Sequence, residues 1–393
     1  MQRLQQFFES PQAPRNWFWN AILFPFLVTR GIWVFVAYFA YNNFQPNPSY
    51  LRYVKQGYFL TRIFPLDIFT RWDSKWYFSI LKGGYQPSAD LRTVYSNLAY
   101  FPLYPYLVKS VGWLGVSLPD GLYILLGLLL SNLFFLASAA LLYRLIIRSP
   151  GFDADGAQRA LILLILFPVS FFFSAFYPES LFLFLTLLGF TFALEEKWAW
   201  TGICAALVVV TKPTGIIPVI ALGWLYMEKK QWRLQAIRLS ILWFLLAPLA
   251  LFLHFYHLYL ISGHPFAFID AMTAWGGIQP ATYWNPFQNL TGAGLDVFKV
   301  DLVLMILFLV ASAYSIWKWP VKAYGVYALL MILLAVSEGL LVSMSRYLLV
   351  CFPVFVLLGQ KLRGGKWFDL TAAAFLALQV IYFAGWVNYY WIA

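Results

Sequence analysis

Apolar residues run in long unbroken stretches along this chain, separated by short polar turns. About 20 helical residues cross a hydrocarbon core. On that measure the pattern predicts eleven helices, over 17–41, 121–147, 160–177, 180–195, 198–211, 215–228, 239–260, 301–318, 323–342, 347–360 and 368–391. Pro168, Pro178, Pro213, Pro218 and Pro353 stand at or near the ends of the shorter ones, where proline removes a donor and turns its predecessor away from the α region. The apolar runs are continuous, not alternating, which excludes a transmembrane barrel. One stretch breaks the rhythm. Residues 42–120 mix Arg52, Lys55, Arg62, Arg71, Lys75, Lys82, Arg92 and Lys109 with Tyr58, Phe59, Phe64, Trp72, Trp76, Tyr77 and Phe78. That mixture suits short amphipathic helices lying in a membrane interface. No internal repeat or low-complexity tract divides the chain, so it reads as one domain, 1–393.

Composition agrees. Of 393 residues, 62% are hydrophobic and only 11% charged, against about 45–50% apolar and about 25% charged in soluble domains. The fold class is therefore an all-α polytopic membrane protein. The net charge of +11 would suit nucleic acid in a soluble chain. Here Lys and Arg set topology and contact anionic headgroups, so membrane lipids are the expected partners and nucleic acid is not. Cys204 and Cys351 fall inside apolar stretches and read as core residues. The first sixteen residues are polar, with Arg3 and Arg15, and no small-residue cleavage site follows. The first apolar stretch is thus expected to be a retained helix, not a removed signal.

Basic residues assign the sides. With the N-terminus in the cytoplasm, the inner loops hold Arg144, Arg148, Arg159, Lys197, Lys229, Lys230, Arg233, Arg238, Lys318, Lys322, Lys361, Arg363 and Lys366. The short outer loops hold only Lys212, Lys299 and Arg346. Shifting the register by one helix reverses this bias. The 42–120 loop is then outside, which its length permits.

On that assignment the polar motifs share the outer face. They are Asp67 and Asp73, Tyr177-Pro178-Glu179-Ser180, Thr211-Lys212-Pro213-Thr214, Ser262-Gly263-His264-Pro265, Ala274-Trp275-Gly276 and Ser343-Met344-Ser345-Arg346-Tyr347. A single outward pocket is expected. Taken singly, Glu179 could be an acid complementing a helix dipole, and Lys212 and Arg346 could anchor headgroups. Two isolated cations in otherwise charge-free turns also suit a lipid-linked phosphate. Arg30, midway along the first helix, is either a functional group or the partner of a buried carboxylate. His254, His257 and His264 lack a companion set of carboxylates or cysteines, so neither a metal nor another cofactor is expected. Asn289-Leu290-Thr291 is a formal glycosylation sequon of low specificity.

An acid in an outer loop, flanked by aromatics and cations, suits glycosyl transfer from a polyprenyl-phosphate sugar. The carboxylate takes a proton from the acceptor hydroxyl, and cations stabilise charge on the departing phosphate. Arg71-Trp72-Asp73-Ser74-Lys75-Trp76-Tyr77-Phe78, Gly84-Tyr85 and Tyr100-Phe101-Pro102-Leu103-Tyr104-Pro105 resemble the signature of the PIG-V family. These are the eukaryotic mannosyltransferases that add the second mannose of the GPI core, with their prokaryotic relatives. Phe167-Pro168 to Tyr177-Pro178-Glu179-Ser180 resembles a further family block, as does Arg346-Tyr347 with Pro353. Thr211-Lys212-Pro213-Thr214-Gly215 departs from the family's Arg-Ser-Asn-Gly-like turn.

The resemblance implies a GT-C fold with about eleven spans, interfacial helices in the first outer loop, and inverting transfer from a polyprenyl-phosphate-mannose donor to a lipid-linked or glycolipid acceptor. It implies Asp73 as catalytic residue. Arg71, Trp72, Lys75, Trp76, Glu179, Lys212, His264, Arg346 and Tyr347 are the candidates for donor and substrate binding. Compact length and the lack of a retention tail fit a prokaryotic plasma-membrane member; a eukaryotic one would sit in the ER membrane. Two other readings stand beside this one. A lipid or solute transporter, such as a flippase, would carry broken segments in two similar halves, and no such symmetry is visible in the sequence. A transferase of the same fold acting on protein or on lipid A is set apart only by the motif.

Overall fold

A computed structural model describes residues 16–87, 90–110, 118–149, 151–274, 297–337, 343–363 and 365–392. The expectations at Trp275-Gly276 and the Asn289 sequon fall outside them. All regular structure among the described residues is helical. Five helices there are long and apolar enough to cross a membrane: Trp19–Asn43, Asp120–Ile147, Leu239–Ser262, Lys299–Lys318 and Lys366–Val387. Each of the eleven predicted stretches holds helix, but among the described residues Glu179–Leu194, Trp198–Val209, Lys322–Ser337 and Phe352–Lys361 run for only 10–17 residues. The long helices turn Phe35, Leu133, Phe252, Val310 and Ile381 outward, the inverted arrangement expected where lipid is the solvent.

Two predicted helices are broken. The stretch expected over 160–177 is a helix only from Ala154 to Leu166. It starts early because Asp153 caps it, accepting from Gly156 N–H, as an N-cap acid does. It stops because Pro168 follows. Phe167 is driven to φ −55°, ψ 141°, the extended conformation that a following proline favours. Residues 167–178 then run as buried non-α chain with one 3₁₀ turn, Ser170–Phe173. Such backbone is tolerated at membrane depth only where protein satisfies it. Gln379 of the last helix supplies this, donating to Ile165 C=O and Phe167 C=O at 3.0 Å and to Ser170 Oγ at 2.7 Å. The stretch expected over 347–360 divides into Met344–Leu349 and Phe352–Lys361. Pro353 stands in the first turn of the second piece.

The broken helix packs on Phe352–Lys361 through missing side chains. A Cβ on Gly359 would stand 2.4 Å from Gly156 C=O, so the close crossing needs glycine there.

The 42–120 loop is built from the short helices Leu51–Gln56, Phe64–Asp67, Ser74–Gly83 and Leu103–Ser110, as the alternation of charge and aromatic residues predicts. It is tied to the chain's far end. Trp386 Nε1 donates to Ile68 C=O at 2.7 Å, and Asn47 N–H donates to Asn388 C=O at 2.9 Å. Phe176 N–H donates to Phe69 C=O at 3.0 Å, joining the loop to the non-helical run.

Candidate active site

Three separate segments place charged side chains around Asp73. Asp73 is the residue before the Ser74–Gly83 helix and is 8% exposed. One carboxylate oxygen accepts the Tyr100 hydroxyl at 3.0 Å, the other Arg346 Nη1 at 3.1 Å. Arg346, in the Met344–Leu349 helix, turns the rest of its guanidinium to Glu179 Oε1, with Nη2 at 2.9 Å and Nε at 3.3 Å. Lys212 Nζ reaches the same oxygen at 3.1 Å. Two carboxylates and two cations thus form one chain, Asp73–Arg346–Glu179–Lys212. Burial without pairing would cost several kcal/mol per charge, so each member is held by the others.

Local chemistry aims each group. Glu179 opens its helix directly after Pro178 and is wholly buried, with Oε2 lacking a hydrogen bond among the described residues. Lys212 precedes Pro213 and is extended, at φ −161°, ψ 161°, as a residue before proline must be. The Gly215 that closes this turn could not carry a Cβ, which would meet Val208 C=O at 2.2 Å. The Arg346 guanidinium lies over the Phe172 and Tyr177 rings, at 4.9 and 5.0 Å, both from the non-helical run.

Asp73 also depends on a strained neighbour. Trp72 has φ 55°, a left-handed conformation that costs a bulky residue roughly 1–3 kcal/mol. The Tyr177 phenol spans it, donating to Arg71 C=O at 3.1 Å and accepting from Asp73 N–H at 2.9 Å. The Trp72 ring packs edge-on against Tyr50 and Trp391. Burial, and after it the Asp73 carboxylate, pushes the Tyr100 phenol well above its ordinary pKa. Tyr100 therefore remains a donor to Asp73.

Asp73, Glu179, Lys212 and Arg346 are thus brought together. Tyr347 joins them, its ring 5.9 Å from Lys212 Nζ. Trp76 stacks on Tyr100 at 6.0 Å, and Lys75, exposed beside it, lies 4.8 Å from the Trp76 ring. Arg71 and His264 point elsewhere. Arg71 is 1% exposed and bound to Asp67, whose carboxylate also accepts the N–H groups of Phe59, Leu60 and Thr61. That pair ties down the loop. Arg71→Leu should therefore destabilise the fold by about 3–5 kcal/mol, the cost of leaving a buried charge unpaired. A lower thermal midpoint in detergent would show this; a raised donor KM at normal stability would return Arg71 to the binding site. His264 is exposed and pairs with Asp270 at 3.2 Å, as Arg92 does at 2.8 Å.

Arg30 has no carboxylate partner among the described residues. It donates to Ser174 Oγ at 2.7 Å, which donates to Asn132 Oδ1, and its guanidinium lies over Phe26 and Trp33. It braces the non-helical run. Buried His254 rests against Phe101 at 4.7 Å, and no group of three His, Cys, Asp or Glu gathers among the described residues.

Tyr100 and Tyr177 escape a sequence search for charge. Their signal is position, each inside a Pro-containing motif that carries the resemblance.

Comparison with known proteins matches the same stretch. Residues 64–229 match the family model described as Mannosyltransferase (PIG-V), which spans Asp73, Tyr100, Tyr177, Glu179 and Lys212. A GPI mannosyltransferase 2 from Drosophila pseudoobscura pseudoobscura is 33% identical over 118 residues, 29% of this chain and 24% of that protein. The chain thus matches about a quarter of that relative's length. The segment that carries most of the acidic and cationic site of this integral membrane protein is thus similar to the PIG-V mannosyltransferases.

Proposed function

We propose that the protein is a membrane mannosyltransferase, taking mannose from a polyprenyl-phosphate donor and passing it to the hydroxyl of a lipid-linked or glycolipid acceptor. The observation that carries this reading is the Arg346 guanidinium shared between the Asp73 and Glu179 carboxylates. Asp73 is the general base. It takes the acceptor's hydroxyl proton as that oxygen attacks the anomeric carbon; the bond from that carbon to the phosphate oxygen breaks, and the lipid monophosphate leaves with the electron pair. Attack opposite the leaving group inverts the anomeric centre. Arg346 and Lys212 stabilise the charge on the departing phosphate, and Tyr100 orients the base. Trp76 and Tyr347 supply aromatic faces for the sugar or lipid.

Purified protein should convert polyprenyl-phosphate-mannose and a suitable membrane lipid into a product heavier by one hexose, seen by mass spectrometry. Transfer from a soluble nucleotide sugar, with none from the lipid donor, would sink the reading.

The donor side requires the site to face outward. Cysteines at Ser88, Ser262 and Ser343 should label with an impermeant reagent from outside, and those at Gln231 and Gly364 should not; Ser88 and Gly364 lie outside the described residues. Labelling at Ser262 and Ser343 only after permeabilisation would put the site in the cytoplasm.

A further inference from the structure

Asp301 stands one turn into the Val297–Lys318 helix and is 1% exposed. A carboxylate at membrane depth is costly and needs partners. Its partners lie on the turn that carries Arg346. One oxygen accepts Ser345 N–H at 3.3 Å, and the other takes the Ser345 hydroxyl in a short hydrogen bond. The Tyr382 phenol of the last helix is a further polar neighbour.

The held turn is unusual. Ser343 is left-handed at φ 66°, and Arg346 N–H closes back on Ser343 C=O at 3.0 Å. The helix that follows, Met344–Leu349, has six residues, far short of the roughly 12–15 at which helices begin to hold alone. Its orientation must come from tertiary contacts. Met344, Leu348 and Leu349 are buried, but apolar burial is non-directional and leaves rotation about so short an axis weakly specified. The hydrogen bonds from Ser345 are directional, and Ser345 is the residue before Arg346. Because Arg346 must reach Asp73 and Glu179 at once, a small rotation here would lose one of them.

We propose that Asp301 is a positioning residue for Arg346, holding the Ser343–Arg346 turn so that the guanidinium bridges the two carboxylates of the site. Its catalytic consequence rests on the mannosyl-transfer reading above; the geometric claim does not.

The test uses the full chain in lipid nanodiscs, with Asp301→Ala, Asp301→Asn, Ser345→Ala, Arg346→Ala and the double variant Asp301→Ala/Arg346→Ala. The first readout is hydrogen exchange over 343–349. Asp301→Ala should speed exchange there, including at the Ser345 amide, and leave the 74–83 helix protected. Ser345→Ala, which removes only the hydroxyl, should do so more weakly. Asn keeps an acceptor for the amide and should restore protection. The second readout is transfer rate and donor KM. Asp301→Ala should cost up to about 10²-fold, as small misplacements of a binding group do, and add nothing further in the Arg346→Ala background.

Unchanged exchange over 343–349 would overturn the proposal. So would losses that multiply in the double variant, or an Asn variant as damaged as Ala. If the exchange pattern appears as expected while the unsubstituted protein transfers no mannose, the positioning role stands and the mannosyl-transfer reading fails. Should Asp301→Ala not fold, exchange in Ser345→Ala and Asp301→Asn decides: equal exchange in the two and the unsubstituted protein would overturn the role.

Discussion

Asp73→Asn should slow mannosyl transfer by about 10²–10⁴-fold, the usual contribution of a general base, with donor KM nearly unchanged. Asn keeps the size and an acceptor for the Tyr100 hydroxyl but cannot take a proton. Arg346 loses one partner and keeps Glu179 at 2.9 Å, so the cationic side of the site remains in place. Initial rates at saturating donor, with donor KM from the same series, separate the two effects. Near-normal turnover would move the base to Glu179, whose Oε2 accepts no hydrogen bond among the described residues. Asp67 is a poor substitute because three backbone N–H groups and Arg71 occupy its carboxylate.

Arg346→Lys is expected to raise donor KM more than acceptor KM, although the charge is kept. A guanidinium presents several donors in a planar fork, whereas an ammonium is a point charge on a flexible stem. Lysine could meet Asp73 or Glu179 but would not span both as Arg346 does. Arg346→Ala is harsher. It leaves two nearly buried carboxylates with Lys212 as their remaining cation in the chain of charges, and removing one member of a buried ion pair costs about 3–5 kcal/mol. Its thermal midpoint should fall with its activity, so the Lys variant is the cleaner probe of donor binding. Unchanged donor KM in both Arg346→Ala and Lys212→Ala would remove the two cations from the phosphate site.

The sequence by itself determined the membrane class, the approximate place of each of the five long apolar helices, and the charged residues of the candidate site. Span formation is a local property. A run of about 20 apolar residues partitions into lipid whatever the rest of the chain does, so the helix expected over 121–147 appears as Asp120–Ile147. Motif residues such as Asp73 and Glu179 were legible for a similar reason, because charge beside long apolar runs stands out.

Only the tertiary structure decided which polar group meets which. Arg71 and Asp73 are two residues apart, yet one is spent on Asp67 and the other faces Arg346, 273 positions away. The helix expected over 160–177 ends at Leu166, and the freed carbonyls are met by Gln379, more than two hundred residues on. Asp301, a lone acid at the edge of a predicted span, acquires a role only once Ser345 lies against it. In lipid no water stands in for a missing partner, so every buried polar group must be matched by protein. That matching is made by packing between distant segments, and periodicity along one segment carries no record of it.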